Sequence, residues 1–199
     1  VRAASSVVLT VLLFAVPGQM LSENIDDHDR SGREEARDFA YNMLMSVEED
    51  SILFTYGDND TYPLWYLQNV ENVRPDVRVV NLSLLDTAWY IKQLKNPSLG
   101  SAPLPMSLSD EQIEQLRYRR WAPKQMQIPV QKKALLSHQP ALKNAITGSH
   151  PLEEPMSWRL RGRPLGKDQR MLAIKDQVVY NILRTNAAQG WGRPVYFSV

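Results

Sequence analysis

The loop Gly57-Asp58-Asn59-Asp60-Thr61 sets two carboxylates, an amide and a hydroxyl within five residues, directly after the apolar run Ser51-Ile-Leu-Phe-Thr-Tyr56. Oxygen donors at that spacing could hold a hard divalent cation such as Mg²⁺, Mn²⁺ or Ca²⁺ at Asp58 and Asp60. The same residue types also form Asx-turns and cap helices, and the spacing leaves both readings open. A second cluster, Asp26-Asp27-His28-Asp29-Arg30, is the densest polar run in the chain. A histidine among three acids could bind metal or act as a general base with a raised pKa. Read structurally, it is a solvated linker in which Arg30 pairs with the acids. Asn81, Ser83 and Asp86 follow a second apolar run, and Asp86 is expected to cap the next helix.

Other candidates are weaker. Arg159, Arg161 and Arg163 lie near Trp158 and could grip a phosphate or an anionic glycan, or simply be solvated. His138 and His150 have no partner at ligand spacing, which predicts exposure. Trp65, Tyr66, Trp89 and Tyr90 read as core or interface aromatics first and as sugar-stacking platforms second. The sequence holds no Gly-rich phosphate loop, no GxSxG, no HExxH and no cysteine. Disulfides and thiolate zinc sites are thereby excluded.

Hydrophobic periodicity supplies the elements that would position these residues. Ser31 with Glu34 has the form of a capping box, and Ala36, Phe39, Ala40, Met43, Leu44 and Val47 follow at helical spacing. Residues 51–56 and 77–83 read as buried strands, with a helix between them whose first turn holds Pro63 and whose cap is Asp60 or Thr61. A third helix over Ala88–Leu94 ends at Asn96-Pro97. Strand, helix, strand, helix at this spacing predicts a βαβ unit with a parallel sheet. Nine of the thirteen prolines fall between residues 97 and 166, where one short helix capped by Ser109 and Gln112 interrupts an extended excursion. Order returns with a helix from Lys167 to about Asn186, carrying Met171, Ile174, Val178, Val179 and Ile182, and a third strand over 193–199. The expected fold is a small three-layer Rossmann-like α/β domain interrupted at 97–166 by a proline-rich insertion.

The front of the chain differs. Between Arg2 and Glu23 lie 20 residues without a charge, and Val7–Val16 is almost wholly apolar. A membrane span needs about 20 such residues and a signal-peptide core roughly 7–15, so length admits either, as it does a buried helix. The chain opens on Val and stops inside a strand-like run, which favours an excerpt of a longer protein. Residues 1–22 are accordingly expected to be the end of a membrane helix, broken near Pro17-Gly18, and 23–199 a soluble domain. A mean hydropathy of −0.37 excludes further spans in this window. A net charge of +1 gives no reason to expect nucleic acid.

Five stretches together carry a family resemblance: Asn24–Arg33, Ala36–Leu44, Ile52-Leu-Phe-Thr-Tyr-Gly-Asp-Asn-Asp-Thr-Tyr-Pro-Leu-Trp-Tyr66, Asp76–Leu85 and the closing Gly192-Arg-Pro-Val-Tyr-Phe197. They resemble a bacterial family of multi-span membrane proteins that is similar to eukaryotic protein O-mannosyltransferases of the GT-C superfamily. The resemblance implies a parent that transfers sugar from a lipid-phosphate donor, with its catalytic acid in an early loop outside this chain. The soluble part would then lie on the extracytoplasmic (periplasmic) side and recognise a glycan or polypeptide acceptor, or pack on the membrane core. The loops Asp26 to Arg30 and Asp58 to Asp60 match the family, which assigns them no chemical step. From residue type and placement these and Asn81 are the expected ligand-binding residues, with no cofactor beyond a divalent cation at Asp58 and Asp60. Two other readings remain: Asp58-Asn59-Asp60 looks like the DxD motif by which soluble GT-A enzymes hold a Mn²⁺–nucleotide, and the domain could be a docking module for envelope proteins.

Overall fold

The computed structural model describes residues 2–138, 140, 155–166 and 169–198. The chain divides into two compact units, Val1–Glu35 and Ala36–Val199. The first is dominated by a single helix, α1 (Arg2–His28), of 27 residues. Its stretch Ser5–His28 is long and apolar enough to cross a membrane, its most apolar 18 residues having a mean hydropathy of 1.7. The helix does not stop at Pro17-Gly18 but runs through them to His28. Proline removes one backbone bond, whereas unwinding in an apolar medium would strand many. Polar side chains here turn back onto their own helix: Thr10 Oγ1 donates to the Ser6 carbonyl at 2.9 Å and Asn24 Nδ2 to that of Met20 at 2.6 Å. Past the helix end, the Ser31 amide donates to Asp29 Oδ1 at 2.9 Å, closing an Asx-turn. Ser31 therefore takes part in this turn, and the next helix begins at Glu35.

The second unit is built on a three-stranded parallel sheet. Its strands are β1 (Ile52–Thr55), β2 (Arg78–Asn81) and β8 (Val195–Phe197), in the order β2-β1-β8. Leu53 lies opposite Val79 on one side and Tyr196 on the other. Period-two alternation sends successive side chains to opposite faces, so a strand buried on both must be apolar throughout. Ile52, Leu53 and Phe54 are each at most 2% exposed.

Helices cover both faces. Leu53 and Val79 pack with Ala40 and Leu44 of α2 (Glu35–Met45) and with Leu64 and Leu67 of α3 (Asp58–Asn69). On the opposite face Ile52, Phe54 and Val80 meet α4 (Ala88–Leu94) and Val178 and Ile182 of the long C-terminal helix. The turn Leu84–Asp86 is a single 3₁₀ turn leading into α4.

The proline-rich stretch is more regular than the sequence predicts. Helix α5 (Asp110–Glu114) opens on the expected capping box: the Gln112 amide donates to Ser109 Oγ at 3.2 Å, and the Ser109 amide to Gln112 Oε1 at 2.8 Å. Beyond it come β3 (Arg119–Arg120), β4 (Lys124–Ile128), α6 (Lys132–His138), β5 (Met156–Leu160), β6 (Arg163–Leu165) and β7 (Gln169–Leu172). These strands form two antiparallel sheets, β3-β7-β6 and β4-β5. Met171 thus lies in a strand, and the C-terminal helix α7 starts only at Ile174, running to Ala188. Two arginines tie the start of this stretch to the sheet. Arg193 donates to the carbonyls of Asp50 (2.7 Å), Ala102 (3.0 Å) and Pro103 (3.2 Å). Arg78 reaches Ser101 Oγ (3.1 Å) and the Asn96 carbonyl (2.9 Å).

Candidate functional site

Ligands of parallel α/β sheets sit beyond the carboxyl ends of the strands. Here that edge is formed by the residues after Thr55, Asn81 and Phe197. The loop after β1 contains no separate turn: Gly57, at φ 93°, is the N-cap of α3, and Asp58, Asn59 and Asp60 form its first turn. Pro63 lies inside the helix, and neither Asp60 nor Thr61 is its cap. Acids in a first turn are favoured by the helix dipole. Asp58 and Asn59 are exposed, and Asp60 Oδ2 accepts the Ser198 hydroxyl at 3.1 Å, linking this turn to the end of β8. Among the described residues, no group of three or more His, Asp or Glu side chains is placed to hold a metal ion.

Asn81 is 1% exposed, and both ends of its side-chain amide are hydrogen-bonded. Its Nδ2 donates to Thr61 Oγ1 at 3.0 Å, and its Oδ1 accepts the amides of Ser83 (2.8 Å) and Leu84 (3.2 Å). Thr61 Oγ1 also lies 2.7 Å from Thr55 Oγ1 and donates to the Gly57 carbonyl at 2.7 Å. This buried network holds the ends of β1 and β2 to the start of α3, and it leaves Asn81 little capacity for a ligand. The cluster Asp26 to Arg30 belongs to the other unit. Asp26, Asp27 and His28 end α1, His28 Nδ1 lies 2.9 Å from the Asn24 carbonyl, and all five residues are exposed. Hydrogen bonds from Ser31 hold the Asp29 carboxyl below the usual carboxylate range.

Of the aromatic candidates, Tyr90 is buried and its hydroxyl accepts the Asn81 amide at 3.0 Å, whereas Trp89 is 60% exposed. Trp65 packs against both cores, and Tyr66 is exposed. Arg159 lies in β5 and Arg163 in β6, with Arg161 between them, all exposed. His138 ends α6 and is exposed, while His150 lies outside the described residues.

The chemistry gathers on the other side of the same edge. A largely apolar cavity of about 500 Å³ opens between Leu82 after β2, Phe197 at the end of β8, the first turns of α7, and β5. Trp158 and Tyr180 meet within it, ring centroids 6.2 Å apart, and Phe197 stacks on Phe54 at 4.9 Å. The cavity's volume lies within the range of small-ligand sites. Two charged residues line it, Lys175 and Asp176. Lys175 is only 9% exposed, with its Nζ 4.4 Å above the centroid of the Tyr56 ring. Burial pushes its pKa down, the positive charge of Arg163 adds to this, and Asp86 and Asp176 oppose it.

Asp86 does not cap α4. Its Oδ1 accepts the Lys175 amide at 3.0 Å, so it caps the first turn of α7, 89 residues away in sequence. Asp176 Oδ2 completes that end by accepting the Ala173 amide at 3.2 Å. Replacing Asp86 with alanine is expected to cost about 1 kcal/mol, the typical loss of a helix cap, read as a shift in the urea midpoint. Lys175 is the residue that sequence reasoning missed, and its signal was present. It stands three, four and seven residues before Val178, Val179 and Ile182, on the stripe that faces the core.

Residues 36–146 match the family described as TMEM260-associated domain 2. Over 56 residues, 28% of this chain, the sequence is 36% identical to Protein O-mannosyl-transferase TMEM260 of Mus musculus, covering 8% of that protein. Over 82 residues, 41% of the chain, it is 23% identical to Protein O-mannosyl-transferase tmem260 of Dictyostelium discoideum, covering 10% of it. The chain therefore matches about a tenth or less of the length of these relatives. No solved structure matches it.

Proposed function

The chain belongs to the family described as TMEM260-associated domain 2, and from that premise we propose that it is the soluble accessory part of a membrane-bound, protein O-mannosyltransferase-like glycosyltransferase, one that holds the acceptor rather than forming the glycosidic bond. In this reading α1 is the last span of a multi-span GT-C parent of the bacterial type that the motifs resemble. The unit Ala36–Val199 lies on the extracytoplasmic side, and its parallel sheet is a small Rossmann-like core. The two relatives named above carry the transferase name, which supports a glycosyltransferase-related protein.

The observation that carries the acceptor-binding role is the cavity beyond the carboxyl ends of β2 and β8. Its walls Trp158 and Tyr180 are rigid aromatics, which provide contact area for a sugar face or an apolar side chain at small entropic cost. The test is sugar transfer by the intact parent protein. Trp158→Ala is expected to raise KM for the acceptor about tenfold or more while kcat changes little, because a lost binding wall weakens ground state and transition state alike. Asp58→Ala and Asp60→Ala address the first turn of α3, where a divalent cation would lower KM if it bridged these acids to the acceptor. Transfer unchanged in all three variants would end the proposal.

A further inference from the structure

Lys175 presents an unusual electrostatic situation for a residue on a core-facing stripe. The residue is 9% exposed and lines an apolar cavity. None of the ion pairs among the described residues includes it. The two nearby acids are committed to backbone amides, Asp86 to that of Lys175 itself and Asp176 to that of Ala173. The ring of Tyr56 offers its face to the ammonium, which compensates only part of what water would supply. A buried cation with no direct ion pair is costly, and Asp86 and Asp176 offset this only from a distance. An aliphatic side chain at 175 would have continued the stripe of Val178, Val179 and Ile182 at no such cost.

Resting on the reading that this cavity holds the acceptor, we propose that it is a receptor for one carboxylate joined to an apolar body. The Lys175 ammonium is its counter-ion, and Trp158, Tyr180 and Phe197 are its walls. Charge decides the head group. Among the described residues, the charges acting on Lys175 are those of Arg163, Asp86 and Asp176, which together with Lys175 itself balance. A monoanion gains the unpaired ammonium without strong opposition, whereas a phosphate dianion would bring a second charge against two acids. A neutral sugar would fill the walls and leave the ammonium unpaired. The carboxylate can come from an acidic side chain beside an apolar one in an acceptor polypeptide, or from a free aliphatic or aromatic acid.

The experiment uses the full chain in lipid nanodiscs and two matched pairs of probes. One pair is 3-phenylpropionate and 3-phenylpropanamide; the other is acetyl-Leu-Glu-Leu-amide and the same peptide with Gln. Calorimetry is expected to show at least one acid binding roughly tenfold or more tightly than its neutral counterpart, the usual gain of a hydrogen bond to a charged group. Lys175→Met should erase that gap and Lys175→Arg should keep most of it. Preference for the peptide identifies an acceptor side chain, and preference for the small acid identifies a free carboxylate. Neutral and acidic probes binding equally, no binding of either acid at millimolar concentration, or a gap that survives in Lys175→Met would each overturn the proposal. Should Lys175→Met fail to fold, the acid–neutral comparison in the wild type still decides. A missing gap alongside impaired transfer by Trp158→Ala removes the carboxylate and leaves acceptor binding standing. A clear gap with normal transfer by Trp158→Ala does the reverse.

Discussion

Replacing Phe54 with alanine is expected to cost about 3–5 kcal/mol, the usual loss for a buried aromatic side chain. Phe54 is fully buried at the centre of the middle strand, in the cluster shared with Val80, Ile91, Val178 and Ile182. Neighbours drawn from α4, α7 and β2 are fixed by their own packing, so the vacated space cannot collapse. The total stability of a domain is only about 5–15 kcal/mol, so the variant stands near the edge of folding. Because Phe197 stacks on Phe54, the same change also removes the support of one cavity wall. Urea unfolding monitored by circular dichroism reads the effect. A loss below about 1 kcal/mol would contradict the placement of β1 between two helical layers.

A second large effect is expected at Arg74, where methionine should cost about 3 kcal/mol. The Arg74 guanidinium gathers the end of α2: Nη1 donates to the carbonyls of Leu44 (2.9 Å) and Val47 (3.0 Å), and Nη2 to that of Glu48 (2.9 Å). Nε and Nη2 also form a two-pronged pair with Asp76 at 2.9 and 2.8 Å. Methionine keeps the stem's packing and leaves these helix-end carbonyls without donors. Lysine, with one point charge, cannot reproduce the fork. The hydrogen bond from Arg74 is also the main reason that the Asp76 carboxyl is held below its usual range. A carboxylate depressed in the folded state adds stability above its unfolded pKa, about 4, and loses it as pH falls through the folded value. Stability should therefore drop between roughly pH 4 and the folded pKa, and Asp76→Asn should flatten that limb in urea midpoints taken from pH 7 to pH 3.

β1 was legible because Ile52-Leu-Phe-Thr-Tyr56 is a continuous run of β-formers closed by Gly57, the pattern of a strand buried on both faces, and β2 because Val77, Val79 and Val80 precede Asn81. The α5 capping box was legible because its two partners are three residues apart. What escaped is what distance in sequence conceals. Pro63 suggested a helix start, yet α3 begins at Asp58, anchored by Thr61 to Thr55 and Asn81 through hydrogen bonds that span up to 20 residues. Asp86 was recognised as a cap, but its helix lies 89 residues further on. In Lys124-Gln-Met-Gln-Ile128 the half-buried Met126 and buried Ile128 alternate with exposed residues, a faint strand signal that the surrounding prolines masked. The acids at 58 and 60 do reach the carboxyl edge of the sheet. The cavity itself depended on bringing β5, α7 and β8 together, which no local pattern announces.

The hydroxyl of Tyr90 on the Asn81 amide has a consequence for the company this domain can keep. Asn81 ends β2, one of the two outer strands of the sheet, and Gln68 Nε2 donates to the Val77 carbonyl at 2.8 Å just before that strand begins. An incoming chain would need a row of vacant amides and carbonyls to zip along, and here side chains of the same domain already occupy both ends of the row. Only the stretch around Val79 is left, too short to hold a visiting strand. Copies crowded at one membrane surface can therefore touch along this flank without their sheets fusing into one.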